Sequence, residues 1–183
     1  MACLSTQTNK NMSVISYNST GYSKFKWDFL FTLAILHSAS VIAVQEHWQL
    51  KPNLYKLMNG VENYLMFSLP AVKKTDIIRS GRPSAGLAIF YSKKIAQYVT
   101  HIDVPNSSRV HAIQINFPAE SLVFINSYFP TDPRKNNFDE SELFNILQDI
   151  DHIFNKCGPH MKYILLGDVN ADFSRHTRFA QIS

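Results

Sequence analysis

Cysteine is scarce in these 183 residues: Cys3 and Cys157, near opposite ends, make neither a disulfide framework nor a C-x-x-C metal pair. That absence points to a reducing intracellular compartment, cytoplasm or nucleus. A long apolar run is also missing. The longest, Phe29 to Leu36, is broken by Thr32 and falls far short of the ~20 residues that cross a bilayer, so no membrane span is expected. The opening MACLSTQTNKNMS lacks the basic, then apolar, then small-residue order of a secretory signal, and residues 1–12 are expected to form a disordered leader. Internal repeats, linkers and low-complexity stretches are absent, and the length fits one domain of ~150 residues. Charged residues make up only 17%, whereas 45% are hydrophobic and 13% aromatic, which excludes a disordered chain and supplies a packed core. The net charge of +4 admits a polyanionic partner without requiring one.

The apolar pattern alternates between short strand-like runs and helical periods. SVISY (13–17) reads as a strand emptying into the turn formers Asn18, Ser19, Thr20 and Gly21. From Lys24 to Ser38, Phe25, Phe29, Leu33 and Leu36, with Leu30 and Ala34 beside them, fit one helix face, and Ser23 is a plausible N-cap. VIAV (41–44) reads as a strand buried on both faces, followed at once by Gln45, Glu46 and His47. A loop rich in Arg, Ser, Gly and Pro (77–86) leads into LAIFY (87–91), and further strands are expected at 110–117 and 122–127. Residues 138–155 carry the clearest helix, with Leu143, Ile146, Leu147, Ile150 and Phe154 at helical spacing, Asp139 or Ser141 as cap and Gly158-Pro159 as stop. YILL (163–166) reads as another buried strand, emptying into Gly167-Asp168-Val169-Asn170. This order is that of an α/β fold with a mixed sheet.

Polar residues recur at the ends of the apolar strands: Asn18, Glu46, Asn126 to Tyr128, then Asp168 and Asn170. Strand ends are where open sheets hold ligands. A carboxylate, amides and a phenol gathered there suit one hydrated divalent cation and the oxygens of a phosphate ester, because Mg²⁺ keeps several waters and takes one or two protein carboxylates. A second carboxylate is then free to orient or deprotonate a water. Any one of these residues alone would read as a strand cap satisfying a turn.

Taken in order, the segments resemble the endonuclease/exonuclease/phosphatase superfamily, which includes apurinic-site endonucleases, pancreatic deoxyribonuclease, inositol-polyphosphate phosphatases and the endonuclease domains of non-LTR retrotransposons. SYN (16–18) resembles the family's first strand, and VQEHW (44–48) the second, ending in the metal-binding Glu. RPSAGLAIF (82–90) is similar to the Gly-containing loop and strand that follow, and NSYFPTDP (126–133) to the segment with the phosphate-contacting Tyr. LLGDVNADFSRHTRF (165–179) resembles the GD-x-N motif. The NSYFP segment, the RP-x-x-G loop and the ADFSRHT continuation look most like retrotransposon endonuclease domains, which nick DNA so that the new 3′ hydroxyl primes reverse transcription.

The resemblance implies a four-layer α/β sandwich, two mixed β-sheets flanked by helices, over residues 13–183. It implies that Glu46, with Asn18, binds Mg²⁺ or Mn²⁺, that Asp168 aligns the attacking water, that Asn170 holds that Asp or the phosphate, and that Tyr128 hydrogen-bonds a phosphate oxygen. DNA is the implied partner. Arg175 and Arg178, with His176 between them, are candidate nucleic-acid contacts, and Lys24 and Lys26 form another small basic group. One departure stands out. Family members carry a terminal Ser-Asp-His-like motif whose His contacts the scissile phosphate, whereas thirteen residues follow Asn170 here, end in QIS and contain none. The second half of the sandwich is therefore expected to be incomplete, and the chain to lack useful DNA cleavage. The seven histidines, His47 among them, are expected to be ordinary surface residues, and Trp48 to serve packing. Two rival readings are a phosphomonoesterase of the same superfamily, acting on inositol phosphates or nucleotides, and a non-catalytic remnant or binding module.

Overall fold

The structure, a computed structural model, describes residues 12–72, 83–105, 107–130 and 140–170. Two four-stranded sheets lie face to face. The first contains β1 (Ser13–Asn18), β2 (Ala39–Gln45), β3 (Tyr64–Leu69) and β4 (Leu87–Ser92), in the order β1-β2-β4-β3. The second contains β5 (Val99–Ile102), β6 (Val110–Asn116), β7 (Ser121–Tyr128) and β8 (Lys162–Asp168), in that order. Each sheet has one parallel pair, β1 with β2 and β7 with β8, while its other neighbours run antiparallel. Helix α1 (Lys24–Leu36) covers the outer face of the first sheet and α2 (Glu140–Cys157) that of the second. This is the expected four-layer α/β sandwich. No helix among the described residues is long and apolar enough to cross a membrane.

Alternation along the strands distributes the core. On β2, Val41 faces the second sheet while Ile42 and Val44 face α1; on β7, Leu122 and Phe124 face the first sheet while Val123 and Ile125 face α2. Val41, Ile89, Ile113, Ile115, Leu122 and Phe124 fill the space between the sheets. Met12, placed by the sequence in the leader, packs against this layer, and residues 1–11 lie outside the described residues.

Both helices form where expected but turn different residues inward. In α1 the buried residues are Trp27, Leu30, Phe31 and Ala34, whereas Phe25 is 82% and Leu36 73% exposed. The helix is apolar on two sides, so either stripe satisfies the period. Trp27 and Phe31 decide the outcome: both make edge contacts with Phe90, and the Trp27 indole N–H donates to the Leu57 carbonyl at 3.0 Å. Ser23 caps the helix by accepting from the Lys26 N–H. In α2, Ile146, Ile150 and Ile153 are buried, and Phe154, expected inside, is 42% exposed and packs edge-on against Tyr163. Gly158 ends that helix with φ +85°; of its two candidate caps, Asp139 lies outside the described residues and Ser141 falls inside the helix.

β8 is not buried on both faces. It pairs with β7 alone among the described strands, and Leu165 is 50% exposed. β3 and β5 were not expected: Tyr64–Leu69 lacks alternation, and Val99–Ile102 is four residues long.

Candidate active site

The parallel pairs β1/β2 and β7/β8 end at the same rim of the sandwich, and the polar residues foreseen at strand ends meet there. Asn18 closes β1, Glu46 follows β2, Tyr128 closes β7 and Asp168 closes β8. In register, Asn18 lies beside Gln45 and Tyr128 beside Asp168. One amide nitrogen joins the two sheets: Asn18 Nδ2 donates to Glu46 Oε1 at 2.8 Å and to Asp168 Oδ2 at 2.8 Å. Two carboxylates from different sheets thus share one neutral donor, and neither is ion-paired to a Lys or Arg among the described residues.

Backbone strain marks the same place. Six described non-glycine residues have positive φ, and Thr20, Glu46, Trp48, Ala85 and Asn170 line the loops of this rim. Each such conformation costs about 1–3 kcal/mol and persists only where surroundings over-determine it. Here Gly21 N–H donates to the Glu46 carbonyl at 2.7 Å, Tyr22 N–H to His47 O at 3.0 Å, and Trp48 N–H to Ala85 O at 3.3 Å. The Ser19 hydroxyl donates to the Gln45 and Glu46 carbonyls. Gly21 is required at its position, since a Cβ there would come within 2.2 Å of the Trp48 ring at φ +93°. Trp48 in turn donates its indole N–H to Glu46 Oε2 at 3.3 Å, so the packing role expected of it includes orienting the carboxylate.

On the second sheet, Asn170 N–H donates to Asp168 Oδ1 at 3.0 Å, and its side chain donates to the Phe129 carbonyl at 2.8 Å. Asn170 therefore holds Asp168 through its backbone. Burial, together with the negative charge of Glu46 to which the phenol hydrogen-bonds, pushes the Tyr128 hydroxyl up to about 12, against the opposing effect of Arg109. Tyr128 stays a proton donor at neutral pH.

Arg109 is the site residue that sequence reasoning missed. Its guanidinium lies 4.8 Å from the Tyr128 ring centroid, its Nε donates to Glu142 at 2.7 Å, and its carbonyl accepts from Tyr128 N–H. The signal available was its place directly before β6, the strand that pairs with the one carrying Tyr128.

Other expectations resolve differently. His47 is not a surface residue: it is fully buried, its ring bonded to Leu69 O and Gln49 N–H and packed where Gly86 has no Cβ, and burial pushes it down to about 4. His111 is buried too. Lys26 is not free to meet phosphates, since its ammonium donates to the carbonyls of Ser19, Thr20 and Gly21, and Lys24 pairs with Asp28. Asn126 faces inward and reaches the first sheet rather than the rim. Arg175, Arg178, His176 and Arg82 lie outside the described residues.

The donor set suits a hard cation. Glu46 and Asp168 offer carboxylate oxygens, with no thiolate or imidazole among the hydrogen-bond partners of either, while Asn18 turns its amide nitrogen to both carboxylates and its amide oxygen to the Thr20 N–H. A hydrated divalent cation takes one or two such carboxylates and keeps several waters. No cluster of three or more His, Cys, Asp or Glu that could hold a metal is present among the described residues.

Residues 28–181 match the model of the Endonuclease/Exonuclease/phosphatase family. The chain belongs to that family. Glu46, Tyr128, Asp168 and Asn170 lie inside the matched stretch of this endonuclease/exonuclease/phosphatase member, and Asn18 precedes it. No curated protein sequence matches the chain. Among solved structures, an endonuclease/exonuclease/phosphatase family protein from Leptotrichia buccalis superposes with a TM-score of 0.64 at 18% identity, over 91% of this chain and 70% of that one. The endonuclease domain of TRAS1, a telomere-specific non-LTR retrotransposon, gives 0.58 at 18% identity, over 90% and 61%. D. rerio TDP2 complexed with a single-strand DNA product gives 0.58 at 18% identity, over 89% and 62%. The chain thus spans about three fifths of the length of the last two, and these likenesses establish the fold.

Proposed function

We propose that this chain carries the cation-binding and water-orienting part of a metal-dependent phosphodiesterase, a DNA endonuclease of retrotransposon type. The observation that carries the reading is the single Asn18 amide nitrogen, 2.8 Å from a carboxylate on each sheet. Glu46, with Asn18, would hold Mg²⁺ or Mn²⁺, which when bound would supply positive charge to stabilise the phosphate and leaving oxygen. Asp168, fixed by the Asn170 N–H, accepts a proton from the water whose oxygen attacks phosphorus as the bond to the leaving oxygen breaks. Tyr128, protonated at neutral pH, donates to a non-bridging phosphate oxygen, and Arg109 adds positive field beside it. Likeness to the TRAS1 endonuclease domain and to TDP2 with its DNA product supports DNA as the partner.

The family resemblance assigns the phosphate-contacting His to a Ser-Asp-His-like motif that these 183 residues do not contain. Loss of one preorganised donor costs about 10²–10³ in rate, so residues 1–183 are expected to leave supercoiled plasmid essentially intact. An aryl phosphodiester, whose leaving group needs little help, reads the cation and water site by itself. Bis(p-nitrophenyl) phosphate should be cleaved only with Mg²⁺ or Mn²⁺, and Asp168→Asn should abolish that cleavage. Equal rates for variant and parent would overturn the assignment. Faster phosphate release from inositol phosphates would favour a phosphomonoesterase, and absence of both activities a non-catalytic module.

A further inference from the structure

Directly beneath the rim lies a buried polar layer that the proposed chemistry does not use. The Gln45 side-chain amide donates to Asn126 Oδ1 at 2.7 Å and to Ser16 Oγ at 3.3 Å. The Asn126 amide donates to the carbonyls of Val44 and Ala88, each at 3.1 Å. Gln45 is 1% and Asn126 0% exposed. Three strands of two sheets, β1, β2 and β7, are thus bonded side chain to side chain, and β4 is drawn in through its backbone.

The position of this layer is what gives it meaning. Side chains two residues apart on a strand share a face, so Ser16 underlies Asn18 and Asn126 underlies Tyr128. Leu166, in register with Asn126, underlies Asp168, and Glu46 directly follows Gln45. Asn18, Glu46 and Tyr128 therefore stand just beyond members of the layer, and Asp168 stands beyond Leu166, the strand neighbour of Asn126. Apolar packing between the sheets is non-directional and tolerates sliding, whereas hydrogen bonds weaken steeply with misalignment. A satisfied buried amide adds little net stability over an apolar residue of the same shape. Its value lies in specifying one arrangement.

We propose that Gln45 and Asn126 are positioning residues that set the offset of the two sheets, and with it the separation of Glu46 from Asp168. The proposal rests on the phosphodiesterase reading for its purpose, and its test is independent of activity. In the 183-residue chain, the double variant Gln45→Met/Asn126→Leu removes both amides at similar volume, and Gln45→Met alone leaves the Asn126 bonds to Val44 and Ala88. The Asn18 side-chain amide resonances, assigned by their absence in Asn18→Ala, report directly on the bridge between Glu46 and Asp168.

The double variant should melt cooperatively near the parent temperature while the Asn18 resonances shift, and its Mn²⁺ dissociation constant by calorimetry should rise about 10-fold, the scale seen when a supporting partner of a metal ligand is lost. Gln45→Met should shift the same resonances less. Unmoved Asn18 resonances, or loss of cooperative melting in both variants, would overturn the proposal. Absence of Mn²⁺ uptake by the parent would instead sink the phosphodiesterase reading, with the resonances still deciding the positioning role.

Discussion

The two halves of the sandwich do the same architectural job with different materials. The first packs α1 on its sheet through aromatic rings, with Trp27, Phe31, Tyr64 and Phe90 in edge or tilted contact. The second packs α2 through branched aliphatics: Ile102, Val110, Val123, Ile125, Ile146, Ile150 and Ile153. Their contributions to the site differ in the same way. Glu46 sits at φ +55° in a loop strapped by backbone bonds from Gly21, Tyr22 and Trp48, while Asp168 ends a strand that pairs with β7 alone among the described strands. Among the described residues the first half is therefore a strapped, rigid holder, and the second a support whose outer strand has one strand neighbour. On the proposed reading a site divided this way would separate binding from chemistry, and substitutions in each half should fail differently.

The largest expected effect tests that division. Asp168→Asn should lower cleavage of the aryl phosphodiester by ~10²–10⁴, with Mn²⁺ affinity nearly retained, because the loss is of a proton acceptor. Glu46→Gln should act in the opposite sense, weakening Mn²⁺ binding by at least the ~10–100-fold that loss of a supporting partner costs, with cooperative melting intact. Calorimetry and steady-state rates on both variants decide it. Similar losses of affinity in both would mean that the carboxylates act as one ligand set rather than as holder and base.

Next in size are the helix faces. Leu30→Ala in α1 and Ile153→Ala in α2, at 1% and 0% exposure, should each destabilise by about 2–5 kcal/mol in urea unfolding. Phe25→Ala should stay within about 0.5 kcal/mol, and Phe154→Ala should lose about 1 kcal/mol with its Tyr163 ring contact. A large loss for Phe25→Ala would restore the helix face read from the sequence.

Much of this site was legible in the sequence because strand ends are where short apolar runs stop and chemistry begins. Glu46 and Asp168 stand out as the carboxylates directly beyond VIAVQ and at the end of YILLG. What joins them was not legible: Asn18 and Asp168 are separated by 150 positions, and only the stacking of the two sheets brings them together. The face of α1 was undetermined for a related reason. Phe25, Phe29 and Leu36 have as good a period as Trp27, Leu30, Phe31 and Ala34, and the choice depends on Phe90 and Leu57, far along the chain. The burial of His47 similarly depends on the missing Cβ of Gly86. Arg109 carries no motif and acquires its place from strand pairing alone.

The smallest effect at near-neutral pH compares the halves once more, through one buried histidine in each. His47, in the first half, is pushed down to about 4 by burial despite the pull of the Leu69 and Leu87 carbonyls. His111, in the second, is pushed down to about 3 by burial and by His101, whose Nε2 is 3.1 Å from its own. His101 is itself lowered by burial, with Asp103 opposing and Lys156 reinforcing. Each ring is neutral in the folded chain and protonates near 6.5 once unfolded. The unfolded state therefore binds more protons below that pH, and stability falls as pH drops. The loss begins near 6.5 and grows by about 1.4 kcal/mol per pH unit per ring. It levels off near 4 for His47 and near 3 for His111. Urea unfolding at pH 7, 6 and 5 should show this slope, under 1 kcal/mol per ring over the first step. His47→Asn should flatten the His47 share and His111→Asn the His111 share, with His101 supplying the remainder. His111 Nδ1 has no hydrogen-bond partner among the described residues, so its replacement should leave stability at pH 7 less reduced than replacement of His47, whose two ring nitrogens are both engaged. An unchanged slope in both variants would mean that the rings are already hydrated in the fold, and the rigid holder of the first half would lose one of its fixed points.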